Sequence, residues 1–415
     1  MLASPGSCGL PLRAMPPRNE DAVRLRKPLE RSIRSGHPWI YRDALVPFEA
    51  APGTVVRVHD KTGRYLGRGL AESGPIGVRV FTTHDEALDQ DLFMRRIEAA
   101  FALRARVVPP ATTAFRLLHG EGDRLPGIVC DRYGSFAVLE LDGEAVLAWE
   151  ARLAEWLRKP LAELGVDSLL VRHGRQAHPT QAPHVVAERA RTAWGSAAPS
   201  ELVVLEHGMR LSASLLHGQK TGLFLDHRES RRRVRELSSG LRVLNLYGYT
   251  GGFSVAAGLG GAREVITVDS AAPALAHAAL SWAQNALDAA SHTTRCNDVP
   301  ELLVELAAQR KRFEFVIADP PNFAPSEQSK TAALESYAVL HRAVLNVLQP
   351  GGFYLAASCS SHVSRDDFEA TLREGARRSR RIVQVLERWG APADHPRLIA
   401  FPEGDYLKVS LLRAD

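Results

Sequence analysis

A cysteine stands between serines in "ASCSSH" (Ala357–His362), directly after the apolar run Phe353-Tyr354-Leu355. A second apolar run, "FVIADPPNF" (Phe315–Phe323), ends in Asp319-Pro320-Pro321. Two prolines cannot continue a strand ladder, so they force a rigid turn that projects Asp319 at the strand's C-terminal edge. Phe323 beyond them offers a ring on which a base can stack, with Asn322 beside it as a further substrate contact. A thiol and a carboxylate at the ends of neighbouring strands suit one difficult reaction. Carbon 5 of a pyrimidine is a poor nucleophile, but a thiolate adding to carbon 6 turns it into an enamine-like centre. Cys359 would then be the nucleophile, and Asp319 would orient and polarise the base. The alternative is that Cys359 is only a packing residue, because cysteine is among the most buried residue types. Asp-Pro-Pro-aromatic loops also serve exocyclic-amine chemistry, in which a lone pair attacks without covalent help.

The segment "VLNLYGYTGGFSVAAGLGGAREVITVDS" reads as a cofactor site, the alternative being a plain strand-to-helix turn at Thr250-Gly251-Gly252 with Asp269 as a helix N-cap. An apolar strand carrying Asn245 ends at Tyr247, a loop follows with Thr250-Gly251-Gly252, and a helix begins near Phe253. A second strand ends in Asp269-Ser270, about 20 residues past the glycines, the offset of a carboxylate that accepts from ribose hydroxyls. The glycines do not follow G-x-G-x-x-G, which argues against a dinucleotide; with Asp-Pro-Pro later in the sheet they point to S-adenosylmethionine. Asp298, after a short third strand, is a candidate for the adenine amino group or a helix cap. In "HGQKTGLFLDHRESRRR" (His217–Arg233), Asp226 and Arg228 are candidates for the methionine end of the cofactor and Lys220 for phosphate or the cofactor carboxylate; a solvated helix entry is the plainer reading.

A chain of 415 residues predicts two or three domains. Residues 1–20 read as a disordered extension without the apolar stretch of a signal peptide. Short β-runs broken by Gly, Pro and Asp over residues 21–90 suggest a small barrel. Residues 91–200 begin with a helix ("DQDLFMRRIEAAFALRARV") and continue as strands, a helix over Ala145–Leu164, and a stretch from Gly174 to Glu201 without periodicity, read as a long loop. Residues 201–415 alternate strand and helix, which predicts a doubly wound, mostly parallel sheet with ligands at the strands' carboxyl ends. Cys8, Cys130, Cys296 and Cys359 form no C-x-x-C pair, so neither a metal site nor a disulfide framework is expected, in keeping with a reducing cytoplasm. No apolar run approaches membrane-spanning length. The net charge is +5, and basic clusters such as "RESRRRVR" and "REGARRSRR" favour a polyanionic partner, RNA or DNA.

Taken together, "SGHPWIY", "LPGIVCDRYG", "HGQKTGLFLDHRESR", "NLYGYTGGFSVAA", "DPPNF", "SCS" and "ADHPRLIAFPEGDYLK" resemble, in one order from about Val23 onward, the RlmI-type 23S ribosomal RNA cytosine-5 methyltransferases. The resemblance implies an α/β protein: an N-terminal PUA β-barrel that binds RNA, a small central α/β domain and a Rossmann-like class I methyltransferase domain. It implies S-adenosyl-L-methionine as cofactor, large-subunit ribosomal RNA as partner, and a cytoplasmic enzyme, with a homodimer left open. Carried over by motif, Asp226, Arg228, the Tyr247–Gly252 loop, Asp269, Asp298 and Asp319 fall at the cofactor and Cys359 at the nucleophile. Asn322 stands where the family commonly has Lys. Relatives of this architecture also methylate guanine at nitrogen 7, and a non-catalytic RNA-binding ribosome-assembly factor is the rival from outside enzymology.

Overall fold

The computed structural model describes residues 21–173 and 190–415. The expectations for the first 20 residues, and for most of the 174–201 stretch, fall outside the described residues. Strands β1 (Asp21–Arg24), β2 (Trp39–Tyr41), β3 (Val55–His59), β4 (Tyr65–Ala71) and β5 (Ile76–Thr82), with the short helix α1 (Glu30–Arg34), build a five-stranded sheet ordered β1-β3-β4-β5-β2. An isolated bridge between Leu25 and Leu45 brings together the chain beyond the two edge strands. Alternation along β3 buries Val56 and Val58 against Val23, Ile40 and Val78.

Helix α2 (Gln90–Val107) is capped by Asp89, whose carboxylate accepts from the Leu92 N–H. A second sheet follows, ordered β10-β9-β8-β7-β6, from β6 (Ala114–His119), β7 (Ile128–Tyr133), β8 (Phe136–Leu141), β9 (Ser168–His173) and β10 (Ala190–Trp194). The helix expected over Ala145–Leu164 is two: α3 (Glu144–Leu147) and α4 (Glu150–Glu163), broken at Ala148-Trp149, where the Trp149 indole reaches back to the Gly53 carbonyl. β10 lies inside the stretch read from sequence as loop. It is an edge strand with mostly exposed side chains, so it carries no apolar alternation to read. This sheet is covered on both faces. Phe115, Cys130, Leu139 and Leu169 pack with α2 and α4, while Ala114, Tyr133, Val138 and Leu170 belong to the core of the catalytic sheet.

A hairpin, β11 (Leu202–Glu206) and β12 (Met209–Ala213), and helix α5 (Arg228–Leu237) lead into a seven-stranded sheet. Its strands are β13 (Arg242–Leu246), β14 (Glu264–Asp269), β15 (His292–Cys296), β16 (Phe313–Ala318), β17 (Leu348–Ser358), β18 (Val383–Trp389) and β19 (Lys408–Ala414), ordered β15-β14-β13-β16-β17-β19-β18. β13 to β17 pair in parallel, and β19 and β18 close the edge antiparallel. The helices between them are α6 (Gly252–Leu259), α7 (Ala272–Gln284), α8 (Val299–Ala308), α9 (Lys330–Val347) and α10 (Arg365–Ser379). Alternate residues feed two cores. Val243, Val265, Phe315 and Leu355 face Val234, Val255 and Trp282 of α5–α7, whereas Leu244, Val316, Tyr354 and Leu412 face Leu303, Tyr337 and Phe368 of α8–α10. The strand order reverses at β13, so the loops after β13 and β16 flank the switch point where such sheets bind ligands. No described helix is long and apolar enough to cross a membrane.

Candidate active site

The loop after β13 turns sharply. Tyr247, Tyr249 and Gly251 all have left-handed backbones, with φ of 57°, 46° and 77°. A Cβ on Gly248 would sit 2.5 Å from the Thr267 methyl group, and one on Gly251 would sit 2.6 Å from the Ala278 Cβ. The loop therefore closes onto β14 and α7 only with glycine at these places. The Asp269 carboxylate accepts from the Tyr249 N–H (2.8 Å) and the Ala271 N–H (2.9 Å), fixing loop and strand end together. Asn245 donates from Nδ2 to Ser254 Oγ (2.9 Å), but its buried Oδ1 has no hydrogen-bond partner among the described residues. Thr250 is half-buried in the same loop, Gly252 opens α6 against the Arg231 side chain, and Ser270 is exposed just beyond Asp269. Asp298 is exposed and caps α8, accepting from the Glu301 N–H (3.1 Å), the plainer of its two sequence readings.

The two chemistry-bearing segments lie on adjacent strands. β16 pairs with β17 so that Ala318 opposes Ala356, and β17 pairs with β19 so that Ser358 opposes Lys408. The serines around Cys359 hold the loops together: Ser360 Oγ donates to Asn322 Oδ1 (2.6 Å), and Ser358 Oγ donates to the Tyr337 hydroxyl (2.9 Å), which lies 3.1 Å from Ser360 Oγ. Asn322 Oδ1 also accepts from the Ala324 N–H (2.9 Å). Phe323 is half-buried with its ring centroid 4.9 Å from that of Tyr337. Between these anchors the Cys359 side chain is only partly exposed. Burial and the nearby Asp319 carboxylate push its thiol up to about 11, opposed by Lys220 and Lys408. Lys408 is fully buried and donates to the Ser360 carbonyl (2.5 Å) and the Tyr406 carbonyl (2.8 Å); burial brings its ammonium down to about 8.

The segment before α5 supplies the third wall. Asp226 Oδ2 accepts from Lys220 Nζ (2.6 Å) and the Tyr406 hydroxyl (2.9 Å), while Oδ1 is buried without a partner among the described residues. Burial opposes its ionisation, but the Lys220 charge beside it holds the carboxyl well below the usual range. Lys220 Nζ also lies 4.4 Å above the Phe224 ring. Arg228, read from sequence as a candidate for the methionine end of the cofactor, is engaged by a carboxylate of its own chain. Its guanidinium grips Asp394 in a buried bidentate pair (2.9 and 3.0 Å), because both side chains are almost wholly out of water and each satisfies the other. His227, next to Asp226, places Nε2 3.2 Å from Asp319 Oδ2.

Two of the quoted motifs prove to be docking surfaces. Trp39 of "SGHPWIY" packs edge-on against Phe401 (4.6 Å) and donates to Glu121 (2.9 Å), tying the first sheet to the "AFPEG" loop and to the second sheet. In "LPGIVCDRYG", Asp131 accepts from Arg116 (2.8 Å) and from Thr221 (2.6 Å), and the Tyr133 hydroxyl lies 2.8 Å from Thr221.

Comparisons with known proteins agree with this geometry. Residues 170–410 match the model of the S-adenosylmethionine-dependent methyltransferase family, and residues 23–83 match that of a PUA-like domain. A ribosomal RNA large subunit methyltransferase of Deinococcus radiodurans is 36% identical over 95% of this chain and 97% of its own. The ribosomal RNA large subunit methyltransferase I of Erwinia tasmaniensis is 34% identical over 92% of this chain and 97% of its own. The chain belongs to the ribosomal RNA large subunit methyltransferase family. It is thus an S-adenosylmethionine-dependent methyltransferase. Among solved structures, a Streptococcus mutans protein described as a SAM-dependent methyltransferase superposes with a TM-score of 0.83 at 22% identity, covering 95% of this chain and all of its own. A chain described as a methyltransferase complexed with SAH superposes at 0.82, also 22% identical, covering 95% and 99%. At that identity the two structures speak for the fold.

Sequence reasoning passed over three residues of this methyltransferase that the structure draws into the site. Lys408 and Tyr406 lie in "GDYLK", which was read only as a motif, and their relevance depends on β19 running antiparallel beside β17. His227 stands in the shadow of Asp226 and Arg228; its position one residue after Asp226 was the only available signal.

Proposed function

We propose that this methyltransferase modifies carbon 5 of a cytosine in large-subunit ribosomal RNA through a covalent bond to Cys359. The relatives' names supply the RNA. The observation that carries the reading of the base is the pairing of a partly exposed thiol with a carboxylate on adjacent strand ends, braced by the Ser360–Asn322 hydrogen bond. Lone-pair methylation has no use for the thiol.

The residues present fit the cofactor. Asn245 Oδ1 and Asp226 Oδ1 are buried acceptors without partners among the described residues, and the glycine loop is a cradle that side chains would fill. Asp226, Asn245, the 247–252 loop and Asp269 would hold it, with Ser270, Asp298 and Asp319 at its margins. When bound, S-adenosylmethionine supplies the electrophilic methyl group that carbon 5 takes. The Cys359 thiolate adds to carbon 6, and Asp319 holds the base by its Watson–Crick edge. Transfer of the carbon 5 proton to water or to a residue of the 319–330 loop then expels the thiolate and restores the ring. Asn322 and Phe323 would border the base and Lys220 the RNA phosphate or cofactor carboxylate. The target must leave its stack to enter, at a cost of a few kcal/mol. The PUA-like sheet and the arginine clusters would supply backbone affinity that falls with salt.

One observation favours guanine-N7 methylation instead: burial and Asp319 push the Cys359 thiol up to about 11, which leaves little thiolate at neutral pH. Nucleoside mass spectrometry of large-subunit RNA, before and after treatment with the enzyme, decides between them. We expect 5-methylcytidine to rise; a rise in 7-methylguanosine instead would replace our reading.

A further inference from the structure

The His227 ring is 2% exposed and held at both nitrogens. Nε2 lies 3.2 Å from Asp319 Oδ2, and Nδ1 lies 3.2 Å from Ser230 Oγ. Ser230 Oγ in turn accepts from the Trp389 indole Nε1 at 2.8 Å. An indole N–H can only donate, so Ser230 Oγ accepts there. Its oxygen has a second lone pair, so the Ser230–Nδ1 contact alone could run either way. The other end of the ring favours one sense: Nε2 faces a carboxylate oxygen, which only accepts, so the ring proton belongs on Nε2 and the Ser230 hydroxyl can give its own to Nδ1. Phe253 closes over the ring, its centroid 5.4 Å away, and discourages a flip that would break both contacts.

We infer that His227 is a positioning residue for methyl transfer: a neutral N–H donor, seated by Ser230 and Phe253 with Nε2 toward Asp319, that aims the Asp319 carboxylate at the target base. The inference rests on the reading of Asp319 as the residue that faces the base. The relay spans the sheet from its antiparallel edge, where Trp389 ends β18, to the end of β16, so the edge strands help set the geometry of the cleft. Asp319 is 18% exposed, and no described residue hydrogen-bonds its other oxygen, which leaves that oxygen to face substrate. A misaimed carboxylate costs rate more than affinity, because orientation matters most at the transition state.

Two measurements test this. Long-range proton–nitrogen spectra of the wild-type protein, with the His227 ring assigned by its disappearance in His227→Gln, report the tautomer directly. We expect protonation at Nε2 alone at pH 7; an Nδ1–H ring or an imidazolium would overturn the inference. Methyl-transfer kinetics form the second arm. Glutamine can place an amide N–H where Nε2–H stands, so His227→Gln should keep kcat within about threefold of wild type, whereas His227→Leu should lose roughly 10- to 100-fold in kcat with KM for cofactor little changed. Equal loss in both variants would mean that the imidazole itself is required; no loss in either would mean that the contact is idle. Both results contradict the proposal. The wild-type product, read by nucleoside mass spectrometry, tests the choice of base separately, so a failure there is not mistaken for a failure here.

Discussion

Cys359→Ala is expected to reduce methyl transfer by about 10³-fold or more, the equivalent of about 4 kcal/mol in the barrier, while cofactor binding measured by calorimetry stays near wild type. The thiol supplies a covalent bond that no neighbour can replace, whereas the cofactor contacts come from Asp226, Asn245 and the 247–252 loop. The substitution itself is mild. Ser358 and Ser360, which hold the loop to Tyr337 and Asn322, are left untouched. A guanine-N7 enzyme would keep most of its rate in this variant. The pH dependence follows from the same residue. The thiol is raised to about 11 and must ionise to attack, so the wild-type rate should climb with pH from 7 toward 9. Lys408, brought down to about 8, loses its proton in the same window and with it the positive charge that favours the thiolate, so the climb should be shallower than one unit of log rate per pH unit near its upper end.

The second large effect lies away from the chemistry. Asp394 accepts both arms of Arg228, and it also meets the Arg116 N–H at 3.1 Å and gives its carbonyl to Arg104 at 2.6 Å. One residue of the 390–406 loop therefore joins α5, α2 and β6. Asp394→Ala leaves the buried Arg228 guanidinium with only its longer Glu229 contact (3.3 Å), at a cost of about 3–5 kcal/mol, which for a domain of this size lowers the unfolding midpoint by roughly 10 °C. The sign with pH is fixed by the direction of the shift. Burial opposes ionisation of Asp394, but its hydrogen bonds to His395 and Arg228 hold the carboxyl well below the usual range. The stabilisation is therefore complete above about pH 4, the unfolded value, and is lost as pH falls below it. Melting curves of wild type and Asp394→Ala should differ by a constant amount from pH 5 to 8 and converge in more acidic buffer.

These two residues also show what could be read in advance. The doubly wound sheet was legible because strands such as "RVLNL" and "FEFVIA" are buried on both faces and helices separate them. That Asp319 and Cys359 follow the ends of strands was legible because Pro-Pro and the serines mark those ends. The Arg228–Asp394 pair was not legible because Asp394 lies 166 residues away in a loop without periodicity, and no local pattern announces such a pair. Asp298 was read two ways because a helix cap and a ribose or adenine contact both want a carboxylate just after a strand. The break between α3 and α4 went unseen because Trp149 fits the apolar face of a continuous helix until Gly53, from another sheet, claims its indole.

The central claim is that this methyltransferase reaches carbon 5 through a thioether at carbon 6. RNA carrying 5-fluorocytidine tests it most directly, because fluorine at carbon 5 cannot leave as a proton does and the adduct persists. With cofactor present, wild-type protein should form a band that resists denaturing electrophoresis and carries both chains, and Cys359→Ala should form none. Full methylation of unmodified RNA by an enzyme that never yields this adduct, or an adduct that survives the loss of Cys359, would contradict the account.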